Sequence, residues 1–557
     1  MAHVITQACC NDASCVPVCP VDCIRPRPGD PGFARAELLH IDPATCIDCG
    51  ACIDECPVDA IVTDGDLTEL TVPYQEINAA YFQVPAFGGA VVKEVDPTVE
   101  IPVGGGPLRV AIVGSGPSGC YAAEQLISRR EVDVEVTVFD RLPTPLGLLR
   151  YGVAPDHQST KKVAAAFGRT LNNKRVNLAL NVEIGKDITV EEILAHHHAV
   201  VFATGASRGR SLGAPGESLP GVHSATDFVG WYNGHPDHAD RTFDMSCERA
   251  MVIGNGNVAL DVARILVSDV AALSKTDIAD HAVEALAASR IREVVVVGRR
   301  GPEHAAFTTP ELLGLGQTKD LDITVGSGQP ARPDGDPVTT LKVRLATELG
   351  ARPRDSARRA VHLQFFRAPV QFRGREAVTG VDLAHTEPTG DGGLSLTEVV
   401  DSIDCGLVLT SVGYRGLPIP GVPFWESSGT IPNEGGRALD SAGGQLVRGV
   451  YVTGWAKRGP SGVIGTNKYC ASETVRAVWE DFAAGLLPDP PGTREHLEAL
   501  LAQRAPRRVG KPGWKAIDAA ERANGRPLGR PRKKFVDIDE MLGAAEAGAP
   551  ATTLPAR

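Results

Sequence analysis

Four cysteines close to the N-terminus constrain this chain more than any other stretch. They lie in Cys46-Ile-Asp-Cys49-Gly-Ala-Cys52-Ile-Asp-Glu-Cys56-Pro57, which has the C-x2-C-x2-C-x3-C-P spacing of bacterial iron–sulfur proteins. In such a run three thiolates hold one cluster, and the cysteine before the proline reaches a second cluster. Zinc is the alternative metal, but zinc sites favour two C-x-x-C pairs or Cys/His sets with a longer spacer. The spacing therefore predicts iron–sulfur clusters.

An incomplete copy of this run lies upstream, with an aspartate in place of one thiolate. It consists of Cys9, Asp12, Cys15 and Cys19-Pro20. The tetrapeptide Cys-Pro-Val-Asp occurs in both copies, at residues 19–22 and 56–59. In two-cluster proteins built from such repeats, each half lends its last cysteine to the cluster of the other half.

This crossed pattern divides the thiolates between two clusters. The ligands of one 4Fe–4S cluster are predicted to be Cys19, Cys46, Cys49 and Cys52. The ligands of the other are predicted to be Cys9, Cys15 and Cys56. Because position 12 has no thiolate, the second cluster is either 3Fe–4S or a 4Fe–4S cluster capped by Asp12. Cys10 and Cys23 remain as ordinary buried thiols, although Cys10 is an alternative ligand to its neighbour Cys9.

Length, charge and cysteine use narrow the class of protein. The 557 residues predict more than one domain, and no run approaches the roughly 18 apolar residues of a membrane span. Residues 1–100 hold 16 Asp or Glu against 4 Lys or Arg, and the remainder is formally neutral. This acidity argues against nucleic acid and for docking on a basic surface, with simple solubility as the alternative. We see no signal peptide and no disulfide scaffold, which indicates a reducing cytoplasm.

A glycine loop of the dinucleotide-binding kind follows a predicted linker at residues 95–107. Residues 73–82 are a predicted helix packed on the preceding domain, and residues 108–113 are a predicted buried strand. Next come Gly114, Gly116 and Gly119, a helical pattern over 121–130, and a strand over 134–139 that ends at Asp140. The glycines suit a tight turn, close approach of a pyrophosphate and close helix packing, and the acid suits a ribose hydroxyl. In this order the pattern predicts a dinucleotide site.

A second loop of this kind lies in the middle of the chain. A strand over 250–253 precedes Gly254-Asn-Gly256-Asn-Val-Ala259, and residues 260–266 open a helix. The next strand, 294–297, is followed by Arg299 and Arg300 instead of an acid. Two arginines accommodate a 2′-phosphate, which selects NADP over NAD. The alternative is an ordinary exposed arginine pair.

Two dinucleotide sites in one chain predict a flavoprotein in which hydride passes from a nicotinamide to a flavin. Apolar strands that end in Thr-Gly at residues 200–205 and 449–454 have the form of FAD-domain strand ends. The predicted fold class is therefore α/β, with Rossmann-like FAD and NADP domains behind an N-terminal α+β domain. The predicted boundaries are 1–94 for the N-terminal domain, 108–206 with 417–557 for a discontinuous FAD domain, and 207–416 for the NADP domain.

These motifs resemble two known families. Residues 1–85 resemble the seven-iron bacterial ferredoxins through Cys-Pro-Val-Asp-Cys (19–23), His-Ile-Asp-Pro (40–43) and the complete second run. They depart from that family in having five residues between Cys9 and Cys15, where it usually has about seven. From residue 108 the chain resembles the adrenodoxin-reductase group of ferredoxin–NADP reductases. The matching segments are 113–119, 147–157, 254–259, 298–302, 306–311 and 454–468.

The resemblance implies a ferredoxin-like domain joined to a reductase that passes electrons from NADPH through FAD to the clusters. The implied acceptor is a free ferredoxin or another one-electron acceptor, with cytochromes P450 as candidates. The residues implied at FAD, beyond the first glycine loop, are Asp140, Leu148, Val182, Trp455, Gly462, Val463 and Ile464. The residues implied at NADP are Arg210, Asn255, Gly256, Asn257, Val258, Arg299, Arg300, Glu311 and Gly462.

The resemblance also implies two catalytic residues, His157 and Glu311. His157 is implied to lie near the flavin ring, where it tunes hydride transfer or shuttles a proton; the alternative is a structural turn residue. Relatives often have a second glutamate three residues beyond the position of Glu311. Here that position is Gly314, so any acid–base role there is absent or moved.

Two other functions compete with a free-standing reductase. The first is the electron-input small subunit of a larger complex such as glutamate synthase. Those relatives carry a Gly-Gly-Gly-Asp-Thr-Gly second loop, whereas this chain has Gly-Asn-Gly-Asn-Val-Ala at 254–259. The second is a non-enzymatic ferredoxin on a degenerate flavin scaffold, which two intact glycine loops disfavour. We expect a cytoplasmic enzyme with no nucleic-acid or membrane partner.

Overall fold

The computed structural model describes residues 2–30, 32–33, 36–83, 107–326 and 337–548. In these ranges every helix is too short or too polar to traverse a lipid bilayer. The linker predicted over 95–107 lies outside the described residues, apart from residue 107.

The N-terminal module is a small α+β unit with its own apolar core, and one side chain of its last helix links its two sheets. Its elements are β1 His3–Ile5, β2 Ile24–Arg25, β3 His40–Ile41, α1 Ala51–Asp54, β4 Ile61–Thr63 and α2 Pro73–Tyr81. Strand β1 pairs antiparallel with β4, and β2 pairs antiparallel with β3. Asn78 of α2 accepts hydrogen bonds from the N–H groups of Ile5 and Ile41 at 3.2 and 2.9 Å. The helix predicted from Pro73 is thereby confirmed as packing on both sheets.

The backbone of the module repeats itself around the two cysteine runs. Asn11 and Ala13 have left-handed φ angles of 57° and 58°, and the matching residues Asp48 and Gly50 have 59° and 74°. Left-handed backbone is strained for residues that carry a Cβ. The two runs therefore make the same turn, and Ala13 adopts it where the second run has a glycine.

From residue 107 the chain alternates strands and helices in three stretches. The first contains β5 Leu108–Val113, α3 Pro117–Ser128, β6 Val134–Asp140, α4 Leu148–Tyr151, α5 Ala164–Asn172, β7 Val176–Leu180, α6 Val190–Leu194 and β8 Ala199–Phe202. The second contains β9 Arg208–Gly209, β10 Val222–Ser224, α7 Ala225–Tyr232, β11 Arg249–Ile253, α8 Asn257–Val267, α9 Val270–Leu273, α10 Asp280–Ala287, β12 Glu293–Val297, α11 Thr309–Gly316, β13 Leu321–Val325, α12 Pro337–Gly350, β14 Arg359–Gln364, β15 Arg367–Gly374, β16 Val378–Pro388, β17 Leu394–Asp404, β18 Leu407–Thr410 and β19 Tyr414–Arg415. The third contains β20 Asn433–Glu434, β21 Arg437–Leu439, β22 Leu446–Val452, α13 Trp455–Arg458, α14 Thr466–Ala483, α15 Arg494–Arg504, α16 Lys511–Gly525 and α17 Ile538–Ala547.

The first and third stretches share one sheet. Among the described residues its strand order is β20-β21-β22-β8-β5-β6-β7, and the strands from β22 to β7 are parallel. Strand β5 is buried almost throughout, as expected for a parallel sheet covered by helices on both faces. Val450 of β22 pairs with Val200 of β8, so the two strands that end in Thr-Gly are neighbours.

The second stretch forms a separate parallel sheet. Its strand order, within the described residues, is β10-β18-β11-β12-β14-β13. The antiparallel strands β15, β16 and β17 pack beside it through Phe372 and Val381. Strand β9 pairs with β19 where the chain enters and leaves this stretch. The α/β fold class with two nucleotide-binding units is confirmed, and the boundaries at 206/207 and 416/417 stay predictions.

Both helices that follow the glycine loops begin earlier than the sequence predicted. Helix α3 begins at Pro117 and not at residue 121, and α8 begins at Asn257 and not at residue 260. Proline suits the first helical position because its missing N–H is not needed there. This accounts for the start of α3, and both helices begin directly after the second glycine of their loops.

Candidate functional site

The first glycine loop is shaped for a phosphate at the start of α3. Gly114 has a φ of 105°, and a Cβ on it would lie 2.5 Å from the carbonyl oxygen of Ala203 in the neighbouring strand end. A Cβ on Gly119 would overlap the carbonyl of Gly114. No side chain caps the N-terminus of α3 at Gly116. Its free N–H groups therefore fit a bound pyrophosphate.

Asp140 lies at the end of β6 beside this loop. Its carboxylate accepts hydrogen bonds from the N–H and Oγ of Ser115 at 2.9 and 2.5 Å, and from the N–H of Leu142 at 3.0 Å. The side chain of Leu148 is 39% exposed. The side chain of Val182 is buried in the core, and its N–H donates to the carbonyl of Asp140. Of these three predicted FAD contacts, Val182 is thus limited to its backbone.

The predicted flavin-lining loop is tied to the first glycine loop by polar side chains. Asn467 donates to the carbonyls of Val463 and Ile464 at 3.2 and 3.0 Å. Its own Oδ1 accepts from the Oγ of Ser118 on α3 at 2.9 Å. Gly462 has a φ of 75°, and a Cβ on it would lie 2.6 Å from Thr466 Oγ1. The indole N–H of Trp455 donates to the carbonyl of Ser461 at 3.0 Å.

The second glycine loop is linked to helix α11. Its helix α8 also has no side-chain cap at Gly256. Asn257 accepts a hydrogen bond from the N–H of Thr308 at 2.7 Å, and Asn255 accepts from the N–H of Phe307 through its carbonyl at 2.8 Å. Val258 packs against the buried core beneath this loop. The backbone N–H groups at the start of α8 are therefore free for a ligand, while hydrogen bonds to residues 307 and 308 and packing of Val258 on the core hold the loop in place.

Two of the three arginines predicted to bind NADP stand at the rim of the second sheet, and the third follows β9 in the β9–β19 pair. Arg299 and Arg300 follow β12 and are exposed. Within the described ranges, neither guanidinium forms an ion pair. Arg210 donates through Nε to the carbonyl of Tyr414 at 3.0 Å, at the β9–β19 pair. A phosphate bound just beyond the end of β12 would meet two guanidinium groups that form no ion pair among the described residues.

The two predicted catalytic residues are brought together by elements far apart in sequence. Nε2 of His157 lies 3.8 Å from Glu311 and 3.9 Å from Asp261. Arg264 lies among them, with Nη1 3.6 Å from Glu311. Burial and the charge of Asp261 together raise the pKa of Glu311 to about 7, although the charges of His157 and Arg264 oppose the shift. A carboxyl with this pKa exchanges a proton near neutral pH.

Sequence reasoning missed three members of this cluster, namely Asp156, Asp261 and Arg264. Nε of Arg264 donates to Asp156 at 2.7 Å, and Nη2 donates to Asp261 at 2.7 Å. His157, Asp261 and Glu311 have the spacing of a metal site, but the guanidinium already supplies a cation there. Asp261 and Arg264 are i, i+3 on α8, so they face the same way. That spacing is the signal that was available in the sequence.

The predicted ligands of the 4Fe–4S cluster lie around one pocket at an exposed edge of the N-terminal module. The lining includes Cys19, Cys46, Cys49 and Cys52. Cys49 is exposed, and Ile47 beside it is 58% exposed. Burial and the neighbouring thiolates together raise the pKa of Cys52 to about 11. Iron relieves this repulsion because it binds the thiolate form, so the residues fit a cluster.

The predicted ligands of the second cluster face the reductase instead. These are Cys9, Cys15 and Cys56. Burial raises the pKa of Cys15, and the charges of Cys9, Asp12 and Cys56 add to the shift, which places these groups close together. The side chain of Cys10 belongs to the apolar core that contains Tyr121 of α3. Cys9 and Cys56 pack against the same core, so Cys10 stays an alternative ligand to Cys9.

The first cysteine loop is in direct contact with the predicted flavin-lining loop. The N–H of Gly465 donates to the carbonyl of Cys10 at 2.6 Å. A Cβ on Gly465 would overlap the backbone of Asn11. The contact therefore depends on a glycine, although the φ of −70° at Gly465 would suit any residue.

Asp12 is turned toward the reductase. Its carboxylate accepts from the N–H and Oγ of Ser14 at 3.1 and 2.6 Å. Lys468 of α14 lies 3.6 Å from Asp12 and donates to Ser14 at 3.0 Å. The residue that replaces the missing thiolate thus joins the two parts of the molecule.

Ion pairs across this interface all have the same polarity. Among the described residues the pairs are Asp12–Lys468 (3.6 Å), Glu37–Lys342 (2.7 Å), Asp59–Lys162 (2.7 Å) and Glu76–Arg344 (2.5 Å). In each pair the acid belongs to the module and the base to the reductase. Glu37 also accepts from the N–H of Thr309, the first residue of α11, at 2.7 Å, where an anion suits the helix dipole.

Packing of the N-terminal module against α11 explains why position 314 is a glycine. It lies on α11, three residues beyond Glu311. A Cβ on Gly314 would lie 2.6 Å from Nε2 of Gln7 in the N-terminal module. A glutamate at this position would have to displace Gln7. The departure from the reductase pattern therefore coincides with a contact that only a chain carrying this module makes.

Comparison with known proteins agrees with this architecture. Residues 108–301 match the family described as pyridine nucleotide-disulphide oxidoreductase, and residues 39–62 match the 4Fe-4S binding domain. A Mycobacterium tuberculosis protein named probable ferredoxin/ferredoxin–NADP reductase is 48% identical over 98% of this chain and 95% of its own length. This chain belongs to the ferredoxin/ferredoxin–NADP reductase family.

Other members and one solved structure support the assignment to the ferredoxin/ferredoxin–NADP reductase family. A Mycobacterium leprae protein with the same name is 47% identical over 100% of both chains. The structure of Mycobacterium tuberculosis FprA in complex with NADPH matches with a TM-score of 0.75 at 40% identity. It covers 79% of this chain and 100% of that one. The resemblance to the reductases is thereby confirmed, as is the ferredoxin-like N-terminal domain, whereas the second cluster of the seven-iron pattern stays a prediction.

Proposed function

We propose that this chain oxidises NADPH with FAD and that its own N-terminal module is the first electron acceptor. When bound, FAD takes hydride from NADPH and releases electrons singly, and iron–sulfur clusters carry single electrons. The observation that supports this most is the contact between Gly465 and Cys10, whose N–H and carbonyl are 2.6 Å apart. No layer of solvent separates the loop assigned to the flavin from the loop assigned to a cluster.

We assign FAD to the first glycine loop and to the loop after Trp455. The open N-terminus of α3 binds the pyrophosphate, and Asp140 keeps its place beside the loop through Ser115 and orients a ribose hydroxyl. Leu148 covers the bound dinucleotide with an exposed side chain, and Val182 contributes only backbone. Residues 462–464 shape the flavin end of the site.

We assign the 2′-phosphate of NADP to Arg299 and Arg300, which are exposed and lack ion pairs within the described residues. Replacing both with glutamine is expected to raise the KM for NADPH about tenfold or more per arginine, because one charged hydrogen bond is worth about 1.5–3 kcal/mol. The KM for NADH should change little. Steady-state kinetics with both nucleotides measures this, and Arg292→Gln on the same sheet is the control. An unchanged preference for NADPH would move the phosphate site elsewhere.

We assign Glu311 as the group that holds an exchangeable proton and His157 as its neighbour at the nucleotide. Burial raises the pKa of Glu311 from 4.5 to about 7. The folded protein therefore holds this proton more tightly than the unfolded chain, and folding loses stability as pH rises from about 4.5 to about 7. At pH 8, Glu311→Gln should raise the free energy of unfolding by up to about 3 kcal/mol, which is measured as a higher thermal midpoint. At pH 4.5 the same change should have little effect on the midpoint. An equal change at both values would contradict the assignment.

We propose two clusters, a 4Fe–4S cluster on the exposed cysteine set and a second cluster on Cys9, Cys15 and Cys56. The contacts of Asp12 with Ser14 and Lys468 support a 3Fe–4S second cluster, because this carboxylate already has partners. A 4Fe–4S cluster capped by Asp12 would require those contacts to break. The acceptors beyond the module are a free ferredoxin or another one-electron carrier such as a cytochrome P450. We also propose a cytoplasmic location, because thiolates that hold iron–sulfur clusters have to stay reduced.

The visible spectrum of the purified protein tests the function directly. NADPH added without oxygen should bleach both the flavin and the iron–sulfur bands. A chain that begins at Gly106 should keep FAD and reduce ferricyanide, but reduce cytochrome c only when the ferredoxin module is added back. The full match to FprA over residues of the reductase part supports its folding alone. A truncated chain that reduces cytochrome c at the full rate, or clusters that NADPH never reduces, would overturn the proposal.

A further inference from the structure

Three consecutive residues near the C-terminus pack toward both nucleotide-binding parts of the reductase. They are residues 534–536, which follow α16 and precede α17. Phe535 packs against the apolar cluster that contains Leu180 of β7, in the sheet assigned to FAD. Val536 packs against the core of the second stretch, and a Cβ on Gly234 would lie 3.0 Å from it. This segment therefore contacts both parts within three residues.

Lys534 lies where the two parts meet, and its side chain has no exposed surface. The amine lies 3.0 Å from the carbonyl of Arg150 on α4, and 3.1 Å from the carbonyl of Asn233, which follows α7. It also lies 3.1 Å from the carboxylate of Asp277, ahead of α10. A lysine ammonium has three N–H groups, so each of these three acceptors can receive one. One amine thus joins α4 of the first stretch to two segments of the second.

The two carbonyl contacts do not depend on the charge of the amine. Burial lowers the pKa of Lys534 to about 7, although the charge of Asp277 opposes the shift. A neutral amine still has two N–H groups, which is the number that the carbonyls of Arg150 and Asn233 require. Lys161 of the first stretch also binds Asp277, at 2.7 Å, so this carboxylate keeps a cation when Lys534 is replaced.

Polar contacts on either side hold this segment in place. The buried carboxylate of Glu521 on α16 accepts from Nη1 of Arg150 at 2.9 Å and from the N–H of Phe535 at 3.0 Å. On the other side, the amine of Lys533 lies 2.7 Å from Asp280, the first residue of α10. The segment is therefore bonded to the first stretch and to the second, and a shift of either one strains these contacts.

Hydride transfer requires that the two parts keep a fixed angle. NADP is assigned to the second stretch and FAD to the sheet of the first and third, so the reacting rings come from different parts. The chain passes between the parts at β9 and β19, which pair through two residues each. A displacement of about 1 Å can slow a reaction about a hundredfold. Contacts away from this crossing therefore matter, and residues 534–536 supply buried ones in addition to the pair of Arg264 and Asp156.

We propose that residues 534–536 are a strap that sets the angle between the two nucleotide-binding parts, with Lys534 as a positioning residue for hydride transfer. This rests on the proposed function, in which NADPH on the second stretch reduces FAD on the first. Lys534 acts through the backbone of α4 and of Asn233, and not on the reacting atoms. Without its amine the angle between the parts varies more, so fewer molecules hold the nicotinamide and the flavin at the transfer distance.

Lys534→Met in the full-length protein, loaded with its cofactors, tests this proposal, because methionine is a long unbranched side chain without the amine. Flavin reduction at saturating NADPH, followed by stopped flow, should slow about tenfold. The KM for NADPH and the FAD content should change little, since neither nucleotide contacts Lys534 in this proposal. NADPH deuterated at the transferred hydrogen should show an isotope effect on the slowed step. Amide hydrogen exchange, which reports local opening, should rise at β9 and β19.

The matched control is Lys511→Met at the start of α16, where the amine donates to the carbonyl of Asn173 in the first stretch at 2.6 Å. It removes a lysine–carbonyl bond on the FAD side and should leave flavin reduction and exchange unchanged. A normal rate of flavin reduction in Lys534→Met, or equal slowing in Lys511→Met, would overturn the proposal.

A second variant keeps the test decisive if Lys534→Met does not fold. Val536→Ala trims the contact with the second stretch and should slow flavin reduction to a smaller degree, whereas a normal rate would overturn the proposal. If NADPH leaves the flavin of the unmodified protein oxidised, the proposed function falls. Raised exchange at β9 and β19 in the Lys534 or Val536 variant would still support the strap, and unchanged exchange would overturn it.

Discussion

The two halves of the N-terminal module share one backbone turn but face different surroundings. Asp12 in the first half and Cys49 in the second occupy equivalent positions, each preceded by a left-handed residue at φ 57° or 59°. Asp12 contacts Lys468 of the reductase, whereas Cys49 is exposed. The difference shows that a repeat can keep its geometry while one copy becomes an interface and the other stays open.

The surface charges follow the same division. The module acids that lie at the reductase are paired with its cations, as at Glu37 and Lys342. Asp54 and Glu55, next to the second cysteine set, are exposed, and neither forms an ion pair within the described part of the chain. The acidity of the module therefore has two parts, one used in docking and one left for solvent or a partner.

The largest effect is expected from adding one methyl group where the first cysteine loop of the module contacts the reductase. Gly465→Ala places a Cβ on the backbone of Asn11, so the first cysteine loop has to move away. Reduction of cytochrome c by NADPH should fall about tenfold to a hundredfold, because a displacement of about 1 Å can cost that much. Stopped-flow kinetics measures this, with ferricyanide reduction as the reference.

The matched control is Gly168→Ala on α5, where a Cβ would meet no atom within 4 Å. It should leave both activities unchanged. If Gly465→Ala reduces cytochrome c at the normal rate, electrons do not enter the module through its first cysteine loop. The difference between the two halves would then have no role in electron transfer.

A smaller effect is expected from reversing single charges on the two sides of the module. Glu37→Lys breaks the pair with Lys342 and should slow reduction of the clusters by NADPH at low salt about fivefold, equivalent to about 1 kcal/mol. Glu55→Lys, on the open side, should leave reduction of the clusters by NADPH unchanged. Rapid-mixing experiments that follow cluster bleaching separate the two. Because salt screens exposed charges, the difference should shrink at high salt, and equal effects of both changes would contradict the division.

The iron content of the protein tests the position at which the two cysteine runs differ, Asp12 in the first and Cys49 in the second. Air-prepared protein should contain about seven irons, and Asp12→Cys should raise this to about eight by restoring a fourth thiolate. The oxidised three-iron signal in electron paramagnetic resonance should disappear in the variant. Iron and sulfide assays measure the change. Eight irons in the unmodified protein, without a three-iron signal, would show that Asp12 is a ligand.

The smallest effect concerns the backbone turn itself. Ala13→Gly should relieve the left-handed strain and raise the unfolding midpoint of the module, while Gly50→Ala should lower it. Each change is expected to be about 1 kcal/mol or less, because glycine also loses more conformational freedom on folding. Guanidinium titration followed by cluster absorbance measures both. Shifts in the same direction would mean that the two turns are not equivalent.

The sequence predicted those features that depend on local order. Glycines after an apolar strand specified both nucleotide loops, and cysteine spacing specified the two thiolate sets. The start of α3 was predicted late because Pro117 was interpreted as loop. The contact of Arg264 with Asp156 was not predicted, since it joins residues 108 positions apart that no local pattern relates. Gly314 was noticed as a departure from relatives, but its neighbour Gln7 became apparent only from the packing of the module.

The position of β22 has a consequence for how the chain folds as it is synthesised. This strand, Leu446–Val452, lies in the sheet between β21 and β8, while β8 itself ends at Phe202. Domains usually fold as they leave the ribosome, N-terminal parts first. Here the edge of β8 has to wait, unpaired, until about 250 further residues have emerged, and exposed strand edges invite wrong pairing. The sheet of the second stretch is complete by Thr410. We therefore expect the second stretch to fold before the sheet shared by the first and third stretches, although the first stretch is synthesised earlier.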